Sequence, residues 1–103
     1  MLSVIIPVFN EAERVSWAVE NWLESGVVGE VIIADGGSLD GTSDLARTAG
    51  ALVMKTPRGR GGQMAAGADA AVGDWLLFVH ADMRLGRGWQ VVTQRFIADT
   101  ANQ

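Results

Sequence analysis

Val31-Ile32-Ile33-Ala34-Asp35-Gly36-Gly37-Ser38-Leu39-Asp40-Gly41 is a β-branched apolar run that turns, at an aspartate, into a stretch of turn formers. The apolar part suits a strand buried on both faces, and the dense Asp, Gly and Ser that follow suit a loop at its carboxyl end. Asp40 is a plausible N-cap for a helix carrying Leu45 and Ala46, which Gly50 would close. A strand, a polar loop and a helix in that order make one unit of an α/β fold.

The same unit recurs on either side. Leu2-Ser3-Val4-Ile5-Ile6 reads as a first strand ended by Pro7, since proline cannot donate to a ladder. Val15, Ala18, Val19, Trp22 and Leu23 then recur at helical spacing, and Asn10 with Glu13 resembles a capping box at the start. That helix is expected to stop near Ser25-Gly26. Ala51-Leu52-Val53-Met54 is a weaker third strand, and Pro57 to Gly62 reads as a glycine-rich loop. The small residues Gln63 to Ala71 predict a helix packed closely on a sheet, although Gly67 costs it ~1 kcal/mol relative to alanine. Trp75 to Val79 is the clearest fourth strand, and Trp89, Val92, Phe96 and Ile97 predict a last amphipathic helix. Strands alternating with helices imply a parallel, doubly wound, Rossmann-like sheet, whose ligands sit beyond the carboxyl ends of the strands. That rule selects 7–11, 35–41 and 80–84.

Composition limits the partners. The 103 residues fit one domain, and 49% hydrophobic with 19% charged residues is a globular composition. A net charge of −4 repels polyanions, which argues against nucleic acid. The absence of cysteine excludes disulfides, thiolate zinc sites and cysteine nucleophiles, and is compatible with a reducing compartment; the cytoplasm is the expected location. The apolar start, Met1 to Phe9, is too short for a signal peptide or a membrane span, and no apolar run reaches the ~20 residues a span requires. Any membrane contact would be peripheral.

No phosphate loop of the G-x-x-x-x-G-K-[ST] type occurs. The turn after the first strand, Pro7-Val8-Phe9-Asn10, is no glycine fingerprint either, which counts against P-loop kinases, dinucleotide oxidoreductases and sugar nucleotidyltransferases. Three other segments carry the signal. Ser3-Val4-Ile5-Ile6-Pro7-Val8-Phe9-Asn10-Glu11, Asp35-Gly36-Gly37-Ser38-Leu39-Asp40-Gly41-Thr42 and Val79-His80-Ala81-Asp82, in this order at the ends of strands one, two and four, resemble family 2 glycosyltransferases of the GT-A type. The resemblance covers about Leu2 to Leu85 and implies the strand order 3-2-1-4.

It also implies roles. Pro7, Phe9 and Glu11 match the loop that borders the nucleotide, with Phe9 where an aromatic packs on the base. Asp35 matches the carboxylate that accepts a hydrogen bond from the base, with Gly37 beside it. Asp82 matches the last residue of the family's D-x-D element, which holds Mg²⁺ or Mn²⁺ against the donor diphosphate, and Ala81 lies within that element. His80 replaces the usual first aspartate; an imidazole supplies nitrogen and no negative charge, so it suits Mn²⁺ better than Mg²⁺ if it ligates. Arg58 and Arg60 match a segment that approaches the donor phosphates, and Gln63 could bond to sugar hydroxyls. Physics favours a cation here, because two unit charges ~4 Å apart at an effective dielectric of ~20 interact by ~4 kcal/mol, and carboxylates repel a diphosphate unless a hard cation bridges them.

Each residue also has a plainer reading. Asp35 and Asp82 could be turn-forming aspartates, His80 a hydrogen-bonded structural residue that orients Asp82, and Arg58 and Arg60 a solvated loop. The four tryptophans are expected mostly in cores. Residues 1–103 are expected to be the N-terminal, nucleotide-sugar-binding part of the domain, with the acceptor part and the catalytic base beyond Gln103. The expected activity is inverting, metal-dependent transfer of a sugar from a nucleotide-diphospho-sugar to an acceptor. The alternative is a non-catalytic nucleotide-binding or interaction module. An apolar fourth strand left at a sheet edge implies homodimerisation or edge-strand association.

Overall fold

The computed structural model describes residues 1–81. Asp82 and the helix expected around Trp89 to Ile97 lie outside the described residues. The described elements run β1 (Leu2–Val8), α1 (Val15–Glu24), β2 (Glu30–Asp35), α2 (Thr42–Ala49), β3 (Leu52–Lys55), α3 (Arg60–Ala70) and β4 (Trp75–Phe78). All strand pairings are parallel, and the sheet order is β3-β2-β1-β4. The α/β class and the order 3-2-1-4 are therefore as expected.

The two central strands are also the most apolar. Val4, Ile5, Ile6, Ile32 and Ile33 have no exposed surface, and each such side chain contributes roughly 1.5–3 kcal/mol on burial. Alternation divides them between the faces. Val4, Ile6 and Val8 of β1, with Val31 and Ile33 of β2, pack with Val15, Ala18, Val19 and Trp22 of α1 and Ala46 of α2. On the opposite face Ile5 meets α3 at Gly67, where an added Cβ would collide with Ile5 Cγ2. The glycine that weakens α3 as a helix is the residue that lets it approach the sheet.

Three boundaries differ from expectation. β1 runs through Pro7, whose Cα pairs with Ala34, instead of stopping before it. The Ile5 carbonyl accepts from the Val79 N–H on the β4 side, so the missing N–H of Pro7, two residues on, faces the side where Cα pairing with β4 has already ended at Phe78. The ladder loses nothing there. Next, α3 begins at Arg60, inside the segment read as loop, because the Gly59 N–H is satisfied by the Gln63 side chain. Finally, no capping box forms at α1: the helix begins at Val15, its N-cap is Arg14 and no side chain caps it.

β4 forms one border of the described sheet, with Phe78 43% exposed. Among the described residues no helix is long and apolar enough to cross a membrane.

Glycines in α3 separate helix propensity from packing. Gly67→Ala gains ~1 kcal/mol of propensity but meets Ile5, and overpacking of this kind costs ~1–3 kcal/mol. Gly62, also in α3, has nothing within 4 Å of an added Cβ. Urea unfolding is expected to show Gly62→Ala as neutral or stabilising by up to ~1 kcal/mol, and Gly67→Val as destabilised by ~2 kcal/mol or more.

Candidate functional site

The loops after β1 and β2 are latched to each other by polar groups that the sequence makes look local. The Asn10 N–H donates to Ser38 Oγ at 2.7 Å, and Asn10 Oδ1 accepts from the Leu39 N–H at 2.8 Å. The Glu11 N–H donates to Thr42 Oγ1 at 2.9 Å, and the Ala12 N–H to Asp40 Oδ2 at 3.1 Å. Asn10 adopts φ 53°, a left-handed conformation that asparagine tolerates better than most side chains. Its amide is thus used across loops and not on α1. Asp40 lies one residue outside the N-cap Gly41 and accepts from the Thr42 N–H at 3.2 Å as well as from the Thr42 hydroxyl. One carboxylate thereby closes the start of α2 and holds the neighbouring loop.

Asp35 is buried, with 1% of its surface exposed. Its Oδ1 accepts from the N–H groups of Gly37 at 3.0 Å and Ser38 at 2.7 Å, and its Oδ2 accepts from the Ser43 hydroxyl at 2.5 Å. Burial pushes the carboxyl upward, but the Ser43 hydroxyl and the Ser38 and Gly37 donors outweigh it, and the group is held below the usual carboxylate range. Its oxygens are thus engaged by the donors of its own loop and of α2, and the side chain lies behind the cleft and not on its wall. Gly37 is exposed at φ 101°, and its N–H is committed to Asp35.

Beyond the ends of β1 and β4 lies an open cleft of about 490 Å³. Pro7, Phe9, Glu11, Arg58, Arg60, Gln63, His80 and Ala81, all singled out from sequence, line it together with Val8 and Gly59. Asp35 and Gly37 are not on this wall, although Asp35 is the direct register partner of Val8, which is. The Arg58 guanidinium carbon stands 3.8 Å from the centre of the Phe9 ring, a cation–π stack at the mouth of the cleft. Glu11 is engaged by Arg14 at 3.0 Å. His80 is exposed on the rim. His80 is the described member of the expected pair, and among the described residues no three His, Cys, Asp or Glu side chains are grouped closely enough to hold a metal ion.

Gln63 differs from its expected role. It is buried, its Nε2 donates to the carbonyls of Val8 at 2.9 Å and Ala34 at 2.8 Å, and its Oε1 accepts from the Gly59 N–H at 3.0 Å. Both amide protons are committed to the backbone, which leaves none to donate to a sugar hydroxyl. The supporting residues Asn10, Ser38, Ser43 and Thr42 were missed as such from sequence. The turn-forming composition of 35–42 is the only signal for Ser38 and Thr42, Asn10 reads as a helix cap, and nothing in the sequence marks Ser43.

A parallel sheet of this order, with its cleft and acidic loop at the carboxyl ends of the strands, defines a Rossmann-like domain of the GT-A type. The sequence pattern of glycosyl transferase family 2 matches residues 3–100, and the chain belongs to that family. It is 34% identical over 90 residues to an uncharacterized glycosyltransferase of Rickettsia felis, covering 86% of this chain and 31% of that protein. It is 37% identical over 59 residues to glycosyltransferase AglJ of Haloferax volcanii, covering 56% and 19%. Among solved structures, glucosyl-3-phosphoglycerate synthase of Mycobacterium tuberculosis, in complex with Mn²⁺, UDP-glucose and phosphoglyceric acid, superposes with a TM-score of 0.72 at 27% identity, covering 82% of this chain and 34% of that one. Mannosyl-3-phosphoglycerate synthase of Rubrobacter xylanophilus, at 24% identity and a TM-score of 0.74, covers 84% and 32% and supports the fold alone. The chain thus spans about a fifth to a third of these relatives' lengths.

The carboxylates make the fold acid-sensitive. Asp35 and Asp40 both have folded values below the ordinary one, so the stability they contribute is complete above the unfolded value near pH ~4 and is lost as pH falls through the lower folded values. Asp35→Asn is expected to lose ~1–3 kcal/mol at neutral pH, since it sets an N–H₂ among three donors. Its unfolding free energy should also fall less steeply than the parent's below pH ~4, as read by denaturant melts across pH.

Proposed function

We propose that this chain forms the donor-binding part of a glycosyltransferase that moves a sugar from a nucleotide-diphospho-sugar to an acceptor hydroxyl, with inversion at the anomeric carbon and with a divalent cation, Mn²⁺ or Mg²⁺, on the diphosphate. The observation that carries the proposal is the cleft itself, in which Phe9, Arg58, Arg60 and His80 converge beyond the ends of β1 and β4.

The chemistry of each group suits its part. Asp35, directly beside the cleft residue Val8 in the sheet register, would take an N–H of the base. The Phe9 ring offers a planar apolar surface for stacking, and Arg58 adds a flat cation that can share it. Arg60, at the first position of α3, brings a guanidinium to the phosphates where the N–H groups of the helix start also favour an anion. His80 and Asp82 would hold the cation, one through nitrogen and one through oxygen, a mixed set that Mn²⁺ accepts. The cation, when bound, supplies Lewis acidity toward the leaving diphosphate. Glu11, tied to Arg14, keeps its carboxylate at the cleft edge without adding an unpaired charge.

Titration calorimetry with UDP, with and without Mn²⁺, on the parent and on Asp82→Ala tests this reading. Mn²⁺ is expected to tighten binding to the parent at least tenfold, equivalent to ~1.4 kcal/mol, and to do little for the variant. An equal response to metal in both would remove Asp82 from the site, and no UDP binding by either would contradict the proposal. Binding without donor hydrolysis or transfer by a longer chain would favour a non-catalytic module.

A further inference from the structure

We propose that Gln63 is a positioning residue of this cleft: its buried amide ties the carboxyl ends of β1 and β2 to the turn before α3, and so holds Arg58 over Phe9. The proposal deepens the donor-site reading and rests on it only for the nature of the ligand.

Three segments distant in sequence meet at one side chain. Val8 ends β1 and directly precedes Phe9; Ala34 lies at the end of β2 and directly precedes Asp35; Gly59 separates Arg58 from Arg60. Gln63 contacts the backbone of all three, at 2.9, 2.8 and 3.0 Å. Each contact therefore falls within one residue of a group that faces, or backs, the cleft. The stoichiometry selects an amide, because two carbonyls require two donors and one N–H requires an acceptor, all on a planar head. Glutamate has the shape but would turn an oxygen toward a carbonyl, while methionine has the volume and none of the bonds. Room for this head is itself provided: a Cβ on Gly36 would stand 3.0 Å from Cδ, Nε2 and Oε1 of Gln63.

The link to Arg58 follows from the backbone. Gly59 carries φ 155° and no Cβ, so little in its own covalent structure fixes the direction of the turn. On the β3 side the turn is anchored by the Thr56 N–H on the Asp35 carbonyl at 2.8 Å. On the α3 side Gly59 is held twice, its carbonyl accepting from the Gln63 N–H at 2.8 Å and its own N–H donating to Gln63 Oε1 at 3.0 Å, and the second bond is the one that depends on the side chain. Arg58 lies between the two, and its guanidinium meets a ring held by the strand that Gln63 also grips. Ring and cation are thus referenced to the same side chain, so the stack is set by the protein's own bonds and is not something a ligand must assemble.

A double-mutant cycle separates positioning from general stability. The full chain is titrated with UDP and Mn²⁺ as parent, Gln63→Met, Arg58→Ala and the double variant. Gln63→Met is expected to weaken binding about tenfold in the parent background and to have no further effect once Arg58 is alanine. An equal loss in both backgrounds overturns the proposal, since Gln63 would then act independently of Arg58. Absence of UDP binding by the parent would fail the donor-site reading, and NMR of the unsubstituted chain then decides the positioning claim. Both side-chain amide protons of Gln63 and the Gly59 N–H should exchange slowly, and the Arg58 side-chain protons should be shifted upfield by the Phe9 ring. Fast exchange of the Gln63 protons, or an unshifted Arg58, overturns it even if Gln63→Met fails to fold.

Discussion

Where parallel strands end, their last carbonyls and N–H groups have no ladder partner, and the cleft of this protein is built from the way those groups are satisfied. The Val8 carbonyl accepts from the Gly36 N–H and from Gln63, the Ala34 carbonyl from Gln63, and the Asp35 carbonyl from Thr56. A buried carbonyl left open would cost ~1–3 kcal/mol, so each contact also pins the loop that supplies it. Among the described residues no buried side-chain nitrogen or oxygen lacks a partner. Loops fixed in this way present their side chains without a large ordering cost when a ligand arrives.

Charge follows the same arrangement. The chain is acidic overall, yet Arg58, Arg60 and His80 gather on one cleft. The nearby carboxylates are occupied: Asp35 by three donors, Asp40 by α2 and the β1 loop, and Glu11 by Arg14. On the proposed function, a diphosphate approaching this edge would meet guanidinium groups first, with the acids held by structural partners. That division would reconcile a negative protein with the proposed anionic ligand, and the remaining phosphate charge would fall to the proposed cation. Membership of glycosyl transferase family 2 agrees with that proposal.

The sheet was legible because its signal is local: β-branched runs at Leu2–Ile6 and Val31–Ala34 can hardly be anything but buried strands, and the motifs at their ends gave the order. Eight of the side chains assigned to the cleft line one opening, which a chain-order motif can forecast since strand ends in a parallel sheet share an edge. What sequence did not disclose was direction. Asn10 followed by Glu13 has the spacing of a capping box, but the positive φ of Asn10 aims its amide at the neighbouring loop. Gln63, polar and beside a glycine-rich stretch, reads as a ligand-facing residue, but the close packing of Gly67 on Ile5 and the missing Cβ of Gly36 make room for its amide on the strand ends. The Arg58–Phe9 stack joins residues 49 positions apart and has no periodicity to betray it.

The central claim is that a nucleoside diphosphate and its cation occupy the carboxyl edge of this sheet. A crystal structure of the chain with UDP and Mn²⁺ tests it most directly. The account predicts the base between Phe9 and Asp35, the diphosphate within hydrogen-bond reach of Arg58 or Arg60, and Mn²⁺ bound at His80 or Asp82. Nucleotide density at the opposite, amino edge of the strands, or Mn²⁺ held without either residue, would contradict it.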